Sequence, residues 1–145
     1  MPTAQDILEQ KGNRIFSIDI GATVLEATRK MNQHQIGALV VTRETRIVGI
    51  FTERDVLRRV VAEERQPSTV LLSSVMTKEV ICCWPQTDIE EIASIMKTRR
   101  IRHIPICDQN GRLHGMISMG DINAHTASSQ EATIHFLHEY IYGRA

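Results

Sequence analysis

The stretch TVLEATRKM, Thr23 to Met31, returns 65 positions later as DIEEIASIM, Asp88 to Met96. The correspondence continues downstream, with Ile36 on Ile101 and Val41 on Ile106. After one extra residue, Gly111, the run Gly49 to Asp55 falls on Gly115 to Asp121. Upstream, Ile15 to Ile18 meets Val80 to Cys83 at the first offset. Two copies of one unit use up most of a 145-residue chain. Whatever one copy folds into, the other should fold into as well, and the two must find a way to cover each other's apolar faces.

Each copy reads as β-α-β-β-α. A short apolar strand (Ile15 to Ile18, or Val80 to Cys83) leads through a polar turn into a helix. Val24, Ala27 and Met31 recur at helical spacing in the first, and Ile89, Ile92, Ala93 and Met96 in the second. Thr23 with Glu26 forms a capping-box signature, as does Thr87 with Glu90 or Asp88 with Glu91. Two β-rich runs follow each helix: Ala38 to Val41 with Ile47 to Phe51, and Ile104 to Cys107 with Leu113 to Ile117. Asn110-Gly111 gives a hairpin signal in the second pair. A further helix starts after Thr52, and another after Ser118. The expected class is α/β (α+β), two motifs packed about a pseudo-twofold axis with short terminal helices. Glu63 to Thr69, polar and with a proline, reads as the linker. Residues 1–67 are then the first motif with an N-terminal helix, 68–127 the second, and both form one domain. Residues 128–145 read as a C-terminal helix with Ile134, Leu137 and Ile141 on one stripe, to be buried on the domain itself or on a second copy.

Composition narrows the partners. Seventeen Lys and Arg balance seventeen Asp and Glu, and aromatic residues are 4%, so neither a polyanion-seeking charge nor many stacking rings are present. Nucleic acid is not an expected partner, and neither is a membrane. The apolar run Ile36 to Val41 is far shorter than the roughly 18 residues a span needs. MPTAQDILEQKG, with an acid at position 6, has no apolar h-region, and a cytoplasmic chain is expected. Cys82, Cys83 and Cys107 lack CxxC spacing and sit in apolar stretches, where they read as buried thiols. Only His135 and His138 share a helical i, i+3 interval, with nothing nearby to complete a metal set. No nucleophile, base and orienting acid can be assembled from spacing, so no enzyme is expected.

The chemistry lies in the duplicated G-x-x-[ST]-x-x-D turn. It joins a strand to a helix N-terminus, where unpaired backbone N–H groups and the helix dipole favour an anion or polar ligand. Gly49 and Gly115 let backbone or ligand come close. Thr52 and Ser118 supply hydroxyls, and Asp55 and Asp121 carboxylates that can accept from both hydroxyls of a ribose. Each turn alone is equally well explained as a capping box.

These turns, together with Val75-Met76-Thr77 and the run Ile101 to Ile106 (IRHIPI), resemble the cystathionine-β-synthase (CBS) domain in its tandem form, from about Ile7 to about Ala127. The resemblance implies a stand-alone regulatory pair that dimerises, binds AMP, ADP, ATP or NAD between its motifs, with S-adenosylmethionine behind these, and signals to another protein. A constitutive dimerisation scaffold is the alternative. It also implies ligand-binding roles for Thr77 and Val80 beside the adenine. His103, Ile104 and Pro105 would line the pocket, Arg102 and His103 would face phosphate, Asp121 would hold the ribose hydroxyls, and Ser118 would lie near the ribose or phosphate. A second, weaker site would use Gly37, Ala38, Thr52, Arg54 and Asp55. It is weaker because Gly37, Ala38 and Val40 stand where the second copy has Arg102, His103 and Pro105.

Overall fold

The two repeat helices, α2 (Val24–His34) and α4 (Ile89–Arg99), end at equivalent residues in the left-handed region, Gln35 at φ 54° and Arg100 at φ 56°. Their starts differ. Thr23 Oγ1 accepts from Glu26 N at 3.2 Å as expected, but neither capping box expected for the later helix forms. Asp88 makes no side-chain cap, and Thr87 Oγ1 instead accepts from Trp84 N at 2.9 Å, closing the preceding turn. The computed structural model describes residues 2–12 and 15–127. The C-terminal helix expected over 128–145, with His135 and His138, lies outside them.

The remaining elements follow the repeat. Before the first copy comes α1 (Ala4–Lys11). Strands β1 (Ser17–Asp19), β2 (Ala38–Arg43) and β3 (Arg46–Thr52) form one sheet, in which β1 is parallel and β3 antiparallel to β2. Helix α3 opens with an α-helical turn, Glu53–Asp55, and continues as a π-helix, Val56–Val61. A 3-10 turn, Leu72–Ser74, precedes the second copy, whose strands β4 (His103–Cys107) and β5 (Leu113–Ser118) form an antiparallel pair. Residues 119–127 are helical. Gly111 at φ 76° closes the β4–β5 hairpin, a backbone angle that favours glycine.

The strand expected over Val80 to Cys83 is reduced to one parallel bridge, Cys83 to Ile106. Two prolines account for this. In the first sheet, Val40 N donates to Phe16 O at 3.2 Å and Ile20 N to Thr42 O at 2.9 Å, on either side of β1. The residues 65 positions on from Val40 and Ile20 are Pro105 and Pro85, which have no N–H to donate. Only the central pair survives, Cys83 N to Pro105 O and Cys107 N to Cys83 O, both 3.0 Å.

Each copy is closed by a segment that precedes the other. One core holds Val24, Ala27, Met31, Leu39 and Phe51 and takes in Val70, Leu72, Val75 and Met76. The other holds Ile92, Met96, Ile104 and Ile117 and takes in Ala4, Ile7 and Leu8 from α1. Backbone bonds seal both exchanges: Val24 N to Val70 O at 2.9 Å and Leu72 N to Ala22 O at 3.1 Å, against Ala4 N to Thr87 O at 2.8 Å and Ile89 N to Pro2 O at 3.1 Å. The repeated glycines make room for the incoming segments. A Cβ on Gly49 would lie 2.6 Å from Met76 Sδ and 3.0 Å from the Thr77 carbonyl oxygen, and one on Gly115 would lie 2.7 Å from Leu8 Cδ2. Gly49→Ala is therefore expected to cost about 1–3 kcal/mol by overpacking. Urea denaturation checks this, and an unchanged midpoint would show that the segment yields freely.

Candidate functional site

Because residues 70–77 cross to the first copy, Thr77 pairs with β3. Thr77 N donates to Ile50 O at 2.9 Å and Ile50 N to Thr77 O at 3.0 Å. The chain then runs past the Thr52–Asp55 turn towards β4 of the second copy. A cleft of about 470 Å³ opens between the copies along this path. Thr52, Asp55, Thr77 and His103 give it polar groups, Ile50, Val80, Ile81 and Pro105 an apolar wall, and Arg54, Arg58, Arg59 and Arg102 its cations.

Asp55 is buried, and among the described residues it is the one buried charged side chain. Its Oδ2 accepts from Thr52 N at 3.0 Å and Thr52 Oγ1 at 3.3 Å, while Asp55 N donates to Thr52 Oγ1 at 3.4 Å. The capping box thus occupies one carboxylate oxygen. Oδ1 has Arg59 Nε at 3.6 Å, beyond hydrogen-bond range. The Arg59 guanidinium donates through Nη1 to the carbonyls of Val75 and Met76, both at 3.1 Å, tying α3 to the crossing segment. Arg54 Nη1 donates to Arg100 O at 3.2 Å, so its charge serves the C-terminus of α4.

His103 stands at the junction of both turns. Its backbone neighbour across the hairpin is Ser118, and its ring faces Gly37, where a Cβ would lie 3.6 Å from Cε1 and 3.2 Å from Glu53 Oε1. Burial pushes the imidazole below its ordinary value. Glu53 and Asp121 oppose that shift, and Lys11 and Arg102 reinforce it. A neutral ring near pH 7 offers one donor and one acceptor, and which nitrogen carries the proton depends on what it meets.

The structure groups the expected site residues differently from the resemblance. Thr77, Val80, Arg102, His103 and Pro105 of the principal set line this cleft with Gly37, Thr52, Arg54 and Asp55 of the secondary set. Ser118 and Asp121 are not part of its lining. Asp121 Oδ2 accepts from Ser118 N at 2.8 Å and is paired with Lys11 Nζ at 2.8 Å, an ammonium that also donates to Met116 O at 2.8 Å. Ile104 and Ala38 are buried under the sheets rather than facing the opening. The physical reason is the exchange: Thr77 belongs to the second copy along the chain but is hydrogen-bonded into the first. Sequence reasoning missed Arg59 and Lys11. Arg59 has a local signal, four residues after Asp55 on a helix. Lys11 has none, since its contact spans 110 positions.

Among the described residues no cluster of three or more His, Cys, Asp or Glu could hold a metal ion, and no helix is long and apolar enough to cross a membrane.

Two interleaved α/β repeats flanking a cleft define a tandem-repeat module. The family model described as "CBS domain" matches the chain twice, over residues 4–62 and 72–126, and the chain belongs to that family. It is similar to the "CBS domain-containing protein CBSX3, mitochondrial" of Arabidopsis thaliana, 31% identical over 97% of this chain and 72% of the relative. Among solved structures it is similar to a putative signal-transduction protein with CBS domains from Burkholderia ambifaria. That likeness has a TM-score of 0.85 and 33% identity, covering 89% of this chain and 96% of the other. A CBS domain protein from Pyrobaculum aerophilum, solved in complex with AMP, has the same fold with a TM-score of 0.75 and 24% identity, covering 83% of this chain and 89% of that one.

Since folded His103 holds its proton less tightly than the unfolded chain does, its contribution to stability is complete above about pH 6.5 and is lost as pH falls through that value towards the lower folded one. Histidine NMR should report a His103 midpoint below about 6.5, and His103→Asn should flatten the acid limb of the stability curve. A midpoint at or above the ordinary value would contradict the burial argument.

Proposed function

We propose that the cleft between the repeats binds the adenosine part of a nucleotide, and that its occupancy regulates another protein. The observation that carries this reading is the meeting of the Thr52–Asp55 turn with Thr77, Val80, His103 and Pro105 in one opening. Asp55 Oδ1, left unused by the capping box and 3.6 Å from Arg59 Nε, is the oxygen that would accept from ribose hydroxyls. The wall of Ile50, Val80, Ile81 and Pro105 suits the faces of a purine, and Arg58 and Arg102 suit phosphate. A cleft of about 470 Å³ is of the size that takes a mononucleotide such as AMP, ADP or ATP. The second half of NAD would run out of it. The AMP complex of the Pyrobaculum relative supports the same ligand class. On this reading the module is not itself catalytic; its chemistry is recognition.

The Asp121 turn is the weaker partner. Asp121 lies outside the cleft lining, and its Oδ2 carries both the capping box and Lys11, so a ribose there would share an acid that is already in a close ion pair. This reverses the ranking drawn from Arg102 and His103 alone. Those residues lie on the second copy but line the cleft with the turn of the first.

A second reading, a constitutive dimerisation scaffold, draws on one observation: Leu57 and Val61, four residues apart on α3, are 64% and 60% exposed. Calorimetric titration with AMP separates the two. Asp55→Asn is expected to weaken AMP by about tenfold or more, the worth of a hydrogen bond to a charged group. Asp121→Asn should change it by less than about threefold. GMP, which has the same ribose and phosphate, is the control for the base. No heat or thermal shift with any adenine nucleotide, on a protein that sediments as a dimer, would favour the scaffold.

A further inference from the structure

The three cysteines do not share the buried role that their apolar surroundings suggest. Cys83 and Cys107 are buried, but Cys82 is exposed. The two backbone bonds between Cys83 and β4 clamp this short stretch against the strand. They bring Cys82 Sγ to 3.4 Å from Cys107 Sγ, the Cys107 thiol donating. A disulfide needs a separation of about 2.05 Å. The remaining approach is on the order of 1 Å, and the backbone around Cys82 is well suited to supply it. With Pro85 and Pro105 in the ladder positions, residues 80–82 are not held to β4 by strand hydrogen bonds. The pair also opens on a hollow of about 580 Å³ beside Arg46 and Asp108, wide enough for a small oxidant.

The geometry points to Cys82 and Cys107 as a reversible intrachain disulfide pair that responds to hydroperoxides. The hydrogen bond from Cys107 draws the Cys82 thiol down to about 7 against the opposing effect of burial. The same bond and burial push Cys107 up, and burial pushes Cys83 up. Cys82 is therefore the attacking sulfur. Its thiolate takes the terminal oxygen of a hydroperoxide, breaking the O–O bond and, after protonation, releasing the alcohol, or water from hydrogen peroxide. A sulfenic acid is left on Cys82. Cys107 then attacks that sulfur, the S–O bond breaks, and hydroxide leaves with the Cys107 proton as water. Two thiols and one hydroperoxide become one disulfide, one alcohol and one water. A dithiol reductant restores both thiols by exchange. Thr77 to Ile81, the stretch leading into Cys82, is part of the cleft region, so the bond would pin that stretch to β4.

The test needs only the wild-type chain, reduced and then exposed to hydrogen peroxide at low protein concentration. Non-reducing peptide mapping should find Cys82 joined to Cys107 within one chain, with Cys83 still free to alkylate and the linkage lost on dithiothreitol treatment. Cys83→Ser should keep the link, and Cys107→Ser should leave Cys82 as a trappable sulfenic acid. Over-oxidation of Cys82 beside a free Cys107 in the wild type, or a linkage through Cys83 or between chains, would overturn the assignment.

Discussion

A sheet of two or three strands with its own helices leaves apolar surface uncovered, and each copy solves this by taking in the segment that precedes the other. Leu72, Val75 and Met76 enter the first core, and Ala4, Ile7 and Leu8 the second. Burying such a side chain is worth about 1.5–3 kcal/mol, so neither copy is complete by itself. The close approach of the incoming segments over Gly49 and Gly115 explains why the repeated turn begins with glycine. Glycine there answers to packing before it answers to any ligand.

The same exchange builds the cleft. Carrying Thr77 across to Ile50 sets the start of the second copy beside the helix turn of the first, and β4 of the second copy closes the far side with His103 and Pro105. A duplicated motif therefore yields unlike sites. Asp55 shares the cleft with His103, a half-buried imidazole whose ring faces Gly37. Asp121 lies outside that lining and is paired with the Lys11 ammonium. Position, more than the motif itself, separates one turn from the other: both acids have a cationic partner, Arg59 at 3.6 Å from Asp55 and Lys11 at 2.8 Å from Asp121, but of the two only Asp55 lines the cleft.

Much of this was legible in the sequence, and the remainder was hidden for identifiable reasons. The repeat and the helices at Val24 and Ile89 follow from periodicity, and the hairpin at Gly111 from its turn residues. The loss of the strand at Val80 to Cys83 was also written there, since Pro85 and Pro105 replace Ile20 and Val40, but apolar content outweighed the missing donors. Thr87 and Asp88 carried capping signals that a competing turn at Trp84 absorbed. Which acid would face Thr77 and His103 could not be read locally, because that depends on a crossing between residues far apart in the chain. Cys82, Cys83 and Cys107 all lie in apolar stretches, and the alternation of faces around the Cys83–Ile106 bridge, which turns Cys82 away from Cys83 and towards Cys107, follows only once that pairing is known.

The central claim is that the cleft assembled by segment exchange, with Asp55 as its acid, is the adenosine site. A crystal structure of the protein grown with AMP tests it most directly. The account predicts ribose hydroxyls on Asp55 Oδ1 and the purine against Ile50, Val80 and Pro105, with the Lys11–Asp121 pair intact. AMP seated on Asp121 with Lys11 displaced, while the Asp55 cleft stays empty, would contradict it.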